Sequence, residues 1–396
     1  MNPQSNNHNS QGIPSNEESE YLGFENISEA IAENPDGFRR QRNKKKRGKR
    51  VLLVIFIVLV SLIVLLLATV VVLHAIGKKQ MLDYDNTKVD LSSEIKDIGA
   101  ADEEDGKVIK YGGDTYRLNE NITTILCMGI DSEDRVSSGY GANGQSDANF
   151  LLTVDTSSGK INAIAINRDT MVDVNVYSDS GFFAGAEKQQ LCLAFANGDG
   201  KEQSCENMKK CVSSIFYGIP VNSYIAIDLE AIGILNDLVG GVTVNPPQSF
   251  NTSVYNFEEG KPVTLNTAEK AEAFVRWRDV TVLESNLDRM QRQKVFLKAF
   301  AAAAIDKTVN NLTFPLTLYS AINDYNINDL NAAKITFLTS CVIKGRSKVN
   351  LEFLNIEGDV KQGEQYAEFY PDETKLFELI LKVFYIKDEA KQEGPF

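Results

Sequence analysis

Histidine is almost missing from this chain of 396 residues: there are two, His8 and His74. Neither lies beyond residue 77, where the bulk of the chain is. That excludes the Ser-His-Asp and Cys-His arrangements and the usual His-ligated zinc sites from that part. Chemistry there must rest on carboxylates, arginines, lysines and an oxygen-liganded metal such as magnesium. Phosphoryl transfer fits this inventory, because it depends on positioning and charge neutralisation more than on a strong protein nucleophile.

Arginine is the second scarcity. From Gly77 onward there are eight, and four of them, Arg276, Arg278, Arg289 and Arg292, fall in the single window R-W-R-D-V-T-V-L-E-S-N-L-D-R-M-Q-R-Q, residues 276–293. After residue 50 the chain is otherwise acidic, with 47 Asp and Glu against 32 Lys and Arg, a difference of −15. Clustered guanidinium groups repel unless an anion lies between them, and their planar fork of donors suits phosphate or carboxylate. Pairing with surface carboxylates is the simpler alternative. Helical phase favours the anion site. A helix over Asp288–Lys307 puts Arg289, Gln293, Phe296 and Phe300 on one face, with Gln291, Lys294 and Lys298 opposite. Arg289 and Gln293 then point toward the core, where a charge needs a partner, and a phosphate near a helix N-terminus is a natural one.

The first 38 residues have seven acidic and no basic side chains and little apolar periodicity, and read as a disordered tail. Nine positive charges follow between Arg39 and Arg50. Val51–Ile76 is then apolar apart from Ser61, Thr69 and His74, long enough to span a bilayer. The charge asymmetry around it places the N-terminus in the cytoplasm and the remainder outside the cell membrane. Its position and length mark an uncleaved single-pass anchor rather than a signal peptide. The organisation expected is a tail with a basic juxtamembrane run over 1–50, a transmembrane helix over 51–76, a stalk over 77–110 and one outer domain over 111–396.

In the outer domain, apolar strands are predicted at Ile122–Ile130, Ala148–Val154, Ile161–Ile166 and near Val349–Ile356. Helices are predicted at Ser204–Tyr217, Leu229–Leu238, Thr267–Arg276, from Asp288, and at Glu373–Phe384. Strands alternating with helices argue for an α/β fold, an α-β-α sandwich around a central mixed sheet. The five cysteines are 127, 192, 205, 211 and 341. Cys192 and Cys205 bracket a Gly-rich loop that a disulfide would staple, contributing ~3 kcal/mol; Cys127, in an apolar strand, reads as a buried thiol.

The 276–293 window resembles the R-x-R…D-x-x-R-x-x-R-Q signature of the LytR–CpsA–Psr family, membrane-anchored phosphotransferases of bacterial cell walls. Three further patches extend the resemblance in the same order: G-I-D at 129–131 with S-D-A-N-F-L-L-T-V-D at 146–155, I-A-I-N-R-D-T at 164–170, and I-L-N-D-L-V-G-G-V-T-V at 234–244. The resemblance implies transfer of a glycopolymer from a polyprenyl-pyrophosphate carrier to a peptidoglycan hydroxyl. It implies Arg168, Arg276, Arg278, Arg289, Arg292 and Gln293 as substrate-binding, all but Arg292 also as catalytic. It also implies an apolar groove for the isoprenoid. Asp131 and Asp147 are similar to the family's strand-end aspartates and would hold Mg2+ (or Mn2+), although each also fits a turn cap. Nucleic acid is not an expected partner. Two positions depart from the pattern: Asn167 stands for a proline and Asn286 for an aspartate, which leaves Glu284 or Asp288 as substitutes for the lost carboxylate. Asn286, read as lost catalysis, keeps open a non-catalytic lipid-binding regulator, and a pyrophosphatase on the same scaffold, with water replacing the sugar hydroxyl, is a third reading.

Overall fold

The computed structural model describes residues 35–82, 98–131, 144–228, 231–279, 281–282, 285–345, 351–363 and 366–388. Most of the acidic tail, residues 83–97 of the expected stalk, and Glu284 lie outside the described residues. The chain divides into two compact units, Met1–Val70 and Val71–Phe396. Helix α1 (Pro35–Met81) supplies the described part of the first. Its segment Leu53–Met81, 29 residues, is long and apolar enough to cross a membrane. Apart from Ser61 and Thr69, the side chains from Leu53 to Val72 are exposed apolar groups all round the helix, a distribution that suits lipid as solvent.

In the second unit the helix continues past the expected end at Ile76, because Gly77 permits a close approach. A Cβ there would lie 2.0 Å from the carbonyl oxygen of Ala333. The last turn is tied down as well: Met81 is fully buried, and its carbonyl accepts a 2.7 Å bond from the Thr123 hydroxyl.

A six-stranded mixed sheet organises this unit. Its strands in chain order are β1 (Ile122–Asp131), β2 (Gln145–Asp155), β3 (Ile161–Ile166), β4 (Ser223–Asp228), β5 (Asn326–Asn328) and β6 (Leu351–Asn355). The spatial order is β5-β4-β1-β2-β3-β6. The pairs β1/β4 and β3/β6 are parallel, while β1/β2, β2/β3 and β4/β5 are antiparallel. The central strands are continuous apolar runs because both sheet faces are covered.

On one face Leu126, Met128, Leu151 and Ile164 pack against helices α2 (Glu202–Ile215) and α7 (Glu373–Phe384) through Met208, Val212, Phe377 and Phe384. Leu126 is fully buried, so truncation to alanine costs ~2–5 kcal/mol. The other face carries α4 (Ser285–Asn310), α5 (Phe314–Ala321) and α6 (Ala332–Gly345). Against α4 packs α3 (Ala268–Arg276), which starts at Thr267, whose side chain accepts from the Lys270 amide, an N-cap bond that satisfies a free donor. The architecture is the expected α-β-α sandwich.

Several features lay outside the expectation. Strand structure is present from Ala101, where Ala101–Asp102 and Val108–Tyr111 join a small antiparallel sheet with Asp114–Leu118 and Tyr385–Lys387. A hairpin of Met171–Tyr177 and Phe183–Gln190 projects after β3. A separate apolar cluster of Phe250, Phe257, Phe274 and Phe296 joins α3 to α4.

Candidate active site

The sheet's register creates the site. Along β1/β2, Gly129 faces Ala148 and Ile130 faces Ser146, so Asp147 is an extra residue in a β-bulge. A bulge re-aims the side chain it carries, and the Asp147 carboxylate is received by two guanidinium groups. Arg168, just beyond β3, donates through Nη1 to Oδ1. Arg289, in the first turns of α4, donates from Nη1 to Oδ2 at 2.7 Å. Both arginines and Asp147 are largely buried. A buried carboxylate gripped from both sides is a strong pairing that is costly to break from one side only.

Other polar groups brace this core. Arg168 Nη2 donates to Gln145 Oε1 and at 3.2 Å to Cys192 Sγ. Arg289 Nη2 donates to Asn286 Oδ1 at 3.0 Å. Asn286 Nδ2 in turn donates to Asn167 Oδ1 at 2.8 Å and Asp169 Oδ2 at 3.0 Å. Asp169 also accepts from Gln190 Nε2 at 3.0 Å and lies 3.4 Å from Arg168 Nε. The two departures from the family pattern, Asn167 and Asn286, are thus bonded to each other. An aspartate at 286 would press a second carboxylate against Asp169, which the amide avoids.

Arg276 and Arg278 flank this core. Arg276 Nη2 meets Asp131 Oδ1 at 3.2 Å, both half-exposed at the end of β1. Arg278 Nε donates to the Ser285 hydroxyl at 3.1 Å. Four guanidinium groups (168, 276, 278, 289) against three carboxylates (131, 147, 169) leave a net charge of +1. Electrostatics reflect the crowding. Burial first, then repulsion from Arg168, pushes Arg289 down to about 10, so it stays charged at neutral pH. Arg278 is lowered by burial and by Arg289 and Arg168. Asp169 is raised by burial, against the pull of Arg168, Arg278 and Arg289. Arg289 Nε and Gln293 Oε1 are buried with no hydrogen-bond partner among the described residues. The site therefore has an excess cation and a spare buried donor, the properties an anionic ligand requires.

Two expectations need correction. Arg292 was grouped with the anion-binding arginines, but it is fully buried elsewhere. Its Nε donates to the Phe274 carbonyl at 3.1 Å and its Nη2 to the Trp277 carbonyl. Its guanidinium stacks over the rings of Phe250 and Trp277, at 4.5 and 5.3 Å from their centres. Three residues beyond Arg289 on the helix, it points some 60° away from it. Its contacts are with the chain segment that carries Arg276 and Arg278. Second, Cys192 and Cys205 form no bridge; both are free, buried thiols. Cys192 faces Arg168, whereas Cys205 turns from α2 into the apolar core.

Sequence reasoning missed Gln145, Gln190 and Cys192 as braces of the cage, since nothing in their local sequence marks them. It anticipated an apolar groove but not its walls. A cavity of about 390 Å³ lies between the sheet and helices α4, α5 and α6. Leu152, Ile161 and Ala163 form its floor, with Leu297, Phe300 and Leu338 among the helical residues above. Helix α4 thus carries cage residues in its first turns and cavity residues farther along.

The mixed-sheet sandwich thus carries a carboxylate-latched arginine cage and an apolar cavity served by the same helix, the features an amphiphilic anion would need. The LytR–CpsA–Psr family model (LytR_cpsA_psr) matches residues 86–382, and the chain belongs to that family. A teichoic acid transferase of Oceanobacillus iheyensis, named polyisoprenyl-teichoic acid–peptidoglycan teichoic acid transferase TagU, is 26% identical over 242 residues, covering 60% of this chain and 68% of the relative. Its counterpart in Halalkalibacterium halodurans is 25% identical, covering 60% and 69%. The fold is shared with Bacillus subtilis TagV (TM-score 0.50, 22% identity, 66% of this chain and 95% of that one). It is shared also with a protein named as a transcriptional regulator from Enterococcus faecalis (TM-score 0.52, 18% identity, 67% and 87%).

Proposed function

We propose that this protein transfers a glycopolymer from a polyprenyl-pyrophosphate carrier to a hydroxyl of peptidoglycan, as the names of its relatives indicate for them. The observation that carries this reading is the Asp147 carboxylate clamped between Arg168 and Arg289 on the helix that also roofs the apolar cavity. That arrangement offers one face to a pyrophosphate and another to an isoprenoid tail. In the cell the reading places the anchor in the membrane and the domain outside it, with the basic run 39–50 on the cytoplasmic side.

In the reaction, the acceptor oxygen bonds to the phosphorus that carries the sugar, and the bond from that phosphorus to the bridging oxygen breaks. Polyprenyl phosphate leaves with the electron pair, and the sugar phosphate remains on the acceptor. Arg168, Arg278 and Arg289 hold the phosphoryl oxygens and offset their charge, which is where such catalysis comes from. Asn286 cannot take the acceptor's proton. Asp169, whose proton affinity burial raises and which Asn286 holds in place, is the cage carboxylate suited to receive it.

Asp131 and Asp147, ion-paired to Arg276 and to Arg168 and Arg289, are the residues that would hold a magnesium ion. Asp131 and Asp147 supply hard oxygens from neighbouring strands, and one or two carboxylates completed by substrate phosphate is a usual magnesium arrangement. When bound, the ion would neutralise charge on the leaving pyrophosphate oxygen. Asp147 must then share its oxygens with a cation in place of one arginine.

The test follows release of polyprenyl phosphate from a pyrophosphate-linked oligosaccharide, with magnesium and with chelator. The reading expects release that chelator abolishes while lipid binding persists. Bound lipid that never turns over with magnesium present would favour a binding protein instead.

A further inference from the structure

A second recess opens beside the cage, at the end of the sheet where β3 and β6 run out. These strands pair in parallel, with Ala165 opposite Asn355, and crevices beyond the carboxyl ends of such strands are common binding sites. The recess has a volume of about 330 Å³, and Asn167 and Ile356 lie at its base. Leu287, Met290 and Gln291 of α4 form one wall; Asp359, Phe369 and Lys375 contribute to the other. Asn167 belongs to both places. It lines the recess, accepts from Asn286 and from the Asp169 amide, and immediately precedes Arg168 of the cage.

The chemistry of the walls selects against anions. Glu357, Asp359 and Asp372 against Lys375 give −3 + 1 = −2, and Lys375 is already held by Glu357 at 2.6 Å. The Asp359 side chain has no hydrogen-bond or ion-pair partner among the described residues, and it is exposed, as is Asn355. Apolar Leu287, Met290 and Ile356 beside these acceptors match a sugar ring, which has an apolar face and a rim of hydroxyl donors. Position adds to this. The apolar cavity runs from the opposite ends of the same strands, at Ile161 and Leu351, to their middle, at Ala163 and Phe353. A tail seated there leaves the recess open to a hydroxyl-bearing acceptor beside the cage.

We propose that this recess binds an uncharged sugar unit of the acceptor glycan, an inference that rests on the transferase reading above. A hydrogen bond between neutral groups changes affinity at least about twofold and one to a carboxylate at least about tenfold, so losing the Asn355 and Asp359 bonds together changes it well over fivefold. The probe is a β-1,4-linked N-acetylglucosamine tetramer titrated against the full chain in detergent and followed by saturation-transfer NMR. The comparison is the double variant Asn355→Ala/Asp359→Ala, whose exposed positions leave the melting temperature unchanged. Binding of the tetramer to the wild type, weakened at least fivefold in the variant with polyprenyl-pyrophosphate affinity unaltered, is the expected result. Equal affinity in the two proteins, or no binding by the wild type, overturns the proposal. A wild type that binds the tetramer and not the polyprenyl pyrophosphate overturns the transferase reading on which it rests.

Discussion

Replacing Asp147 with asparagine keeps the size of the side chain and deletes the charge that joins Arg168 to Arg289. Both guanidiniums then face each other, largely buried, with Asp169 3.4 Å from Arg168 as the remaining close carboxylate. Removing one partner from a buried ion pair costs ~3–5 kcal/mol. At about 2 °C per kcal/mol for a domain of this size, melting should fall by about 6–10 °C. The ligand effect should go the opposite way. The cage charge rises from +1 to +2, and a bound pyrophosphate no longer competes with a carboxylate for the same donors. In magnesium-free buffer the variant should therefore bind polyprenyl pyrophosphate at least tenfold more tightly, which adds ~1.4 kcal/mol of ligand-induced stabilisation at saturating ligand. Thermal melts of both proteins with and without the lipid measure both effects. A variant that melts within 2 °C of the wild type, or gains no more from the lipid, would refute the latch.

Three other perturbations probe separate parts of the site. Arg278→Ala removes a half-buried charged donor at ~1.5–3 kcal/mol per bond, so lipid affinity should drop tenfold or more in equilibrium titration. Ala304→Trp fills part of the apolar cavity; affinity for a long-chain polyprenyl pyrophosphate should fall tenfold while that for inorganic pyrophosphate stays constant. Asp169, raised in the folded state, is neutral below its folded pKa and ionised above it. Transfer should thus fall, as pH is lowered, at a pH above the ordinary carboxylate range, and Asp169→Asn should abolish that limb of the profile. The same raised value means the fold loses stability as pH climbs from the unfolded to the folded pKa, a loss the asparagine variant should not show in melts across that window.

How much of this was legible in the sequence varied by residue. Strand Ile161–Ile166 and helix Glu373–Phe384 carry strong apolar patterns, and the structure has both at those bounds. The Met171–Gln190 hairpin was not seen because its second strand is mostly exposed and polar, without the alternation that marks a half-buried strand. Helical phase located Arg289 and Gln293 on the buried face of α4. The same phase could not show that Arg292 would meet rings contributed by Phe250 and Trp277, since tertiary packing brings those to it. The bulge that turns Asp147 toward two arginines depends on strand register, which no local pattern encodes. Cys192 and Cys205 lie near each other in sequence, yet one turns toward a guanidinium and the other into the core. Spacing alone is a weak guide to disulfides where backbone direction decides.

The measurement closest to the central claim tracks both products of one reaction. Protein in detergent is given a pyrophosphate-linked oligosaccharide and a soluble peptidoglycan fragment with magnesium. Released polyprenyl phosphate is quantified alongside the mass of the modified fragment. The account predicts equal amounts of polyprenyl phosphate and of fragment carrying the oligosaccharide through a phosphodiester, with neither formed by Arg289→Ala. Release at the same rate without the fragment, yielding free sugar phosphate, would contradict it.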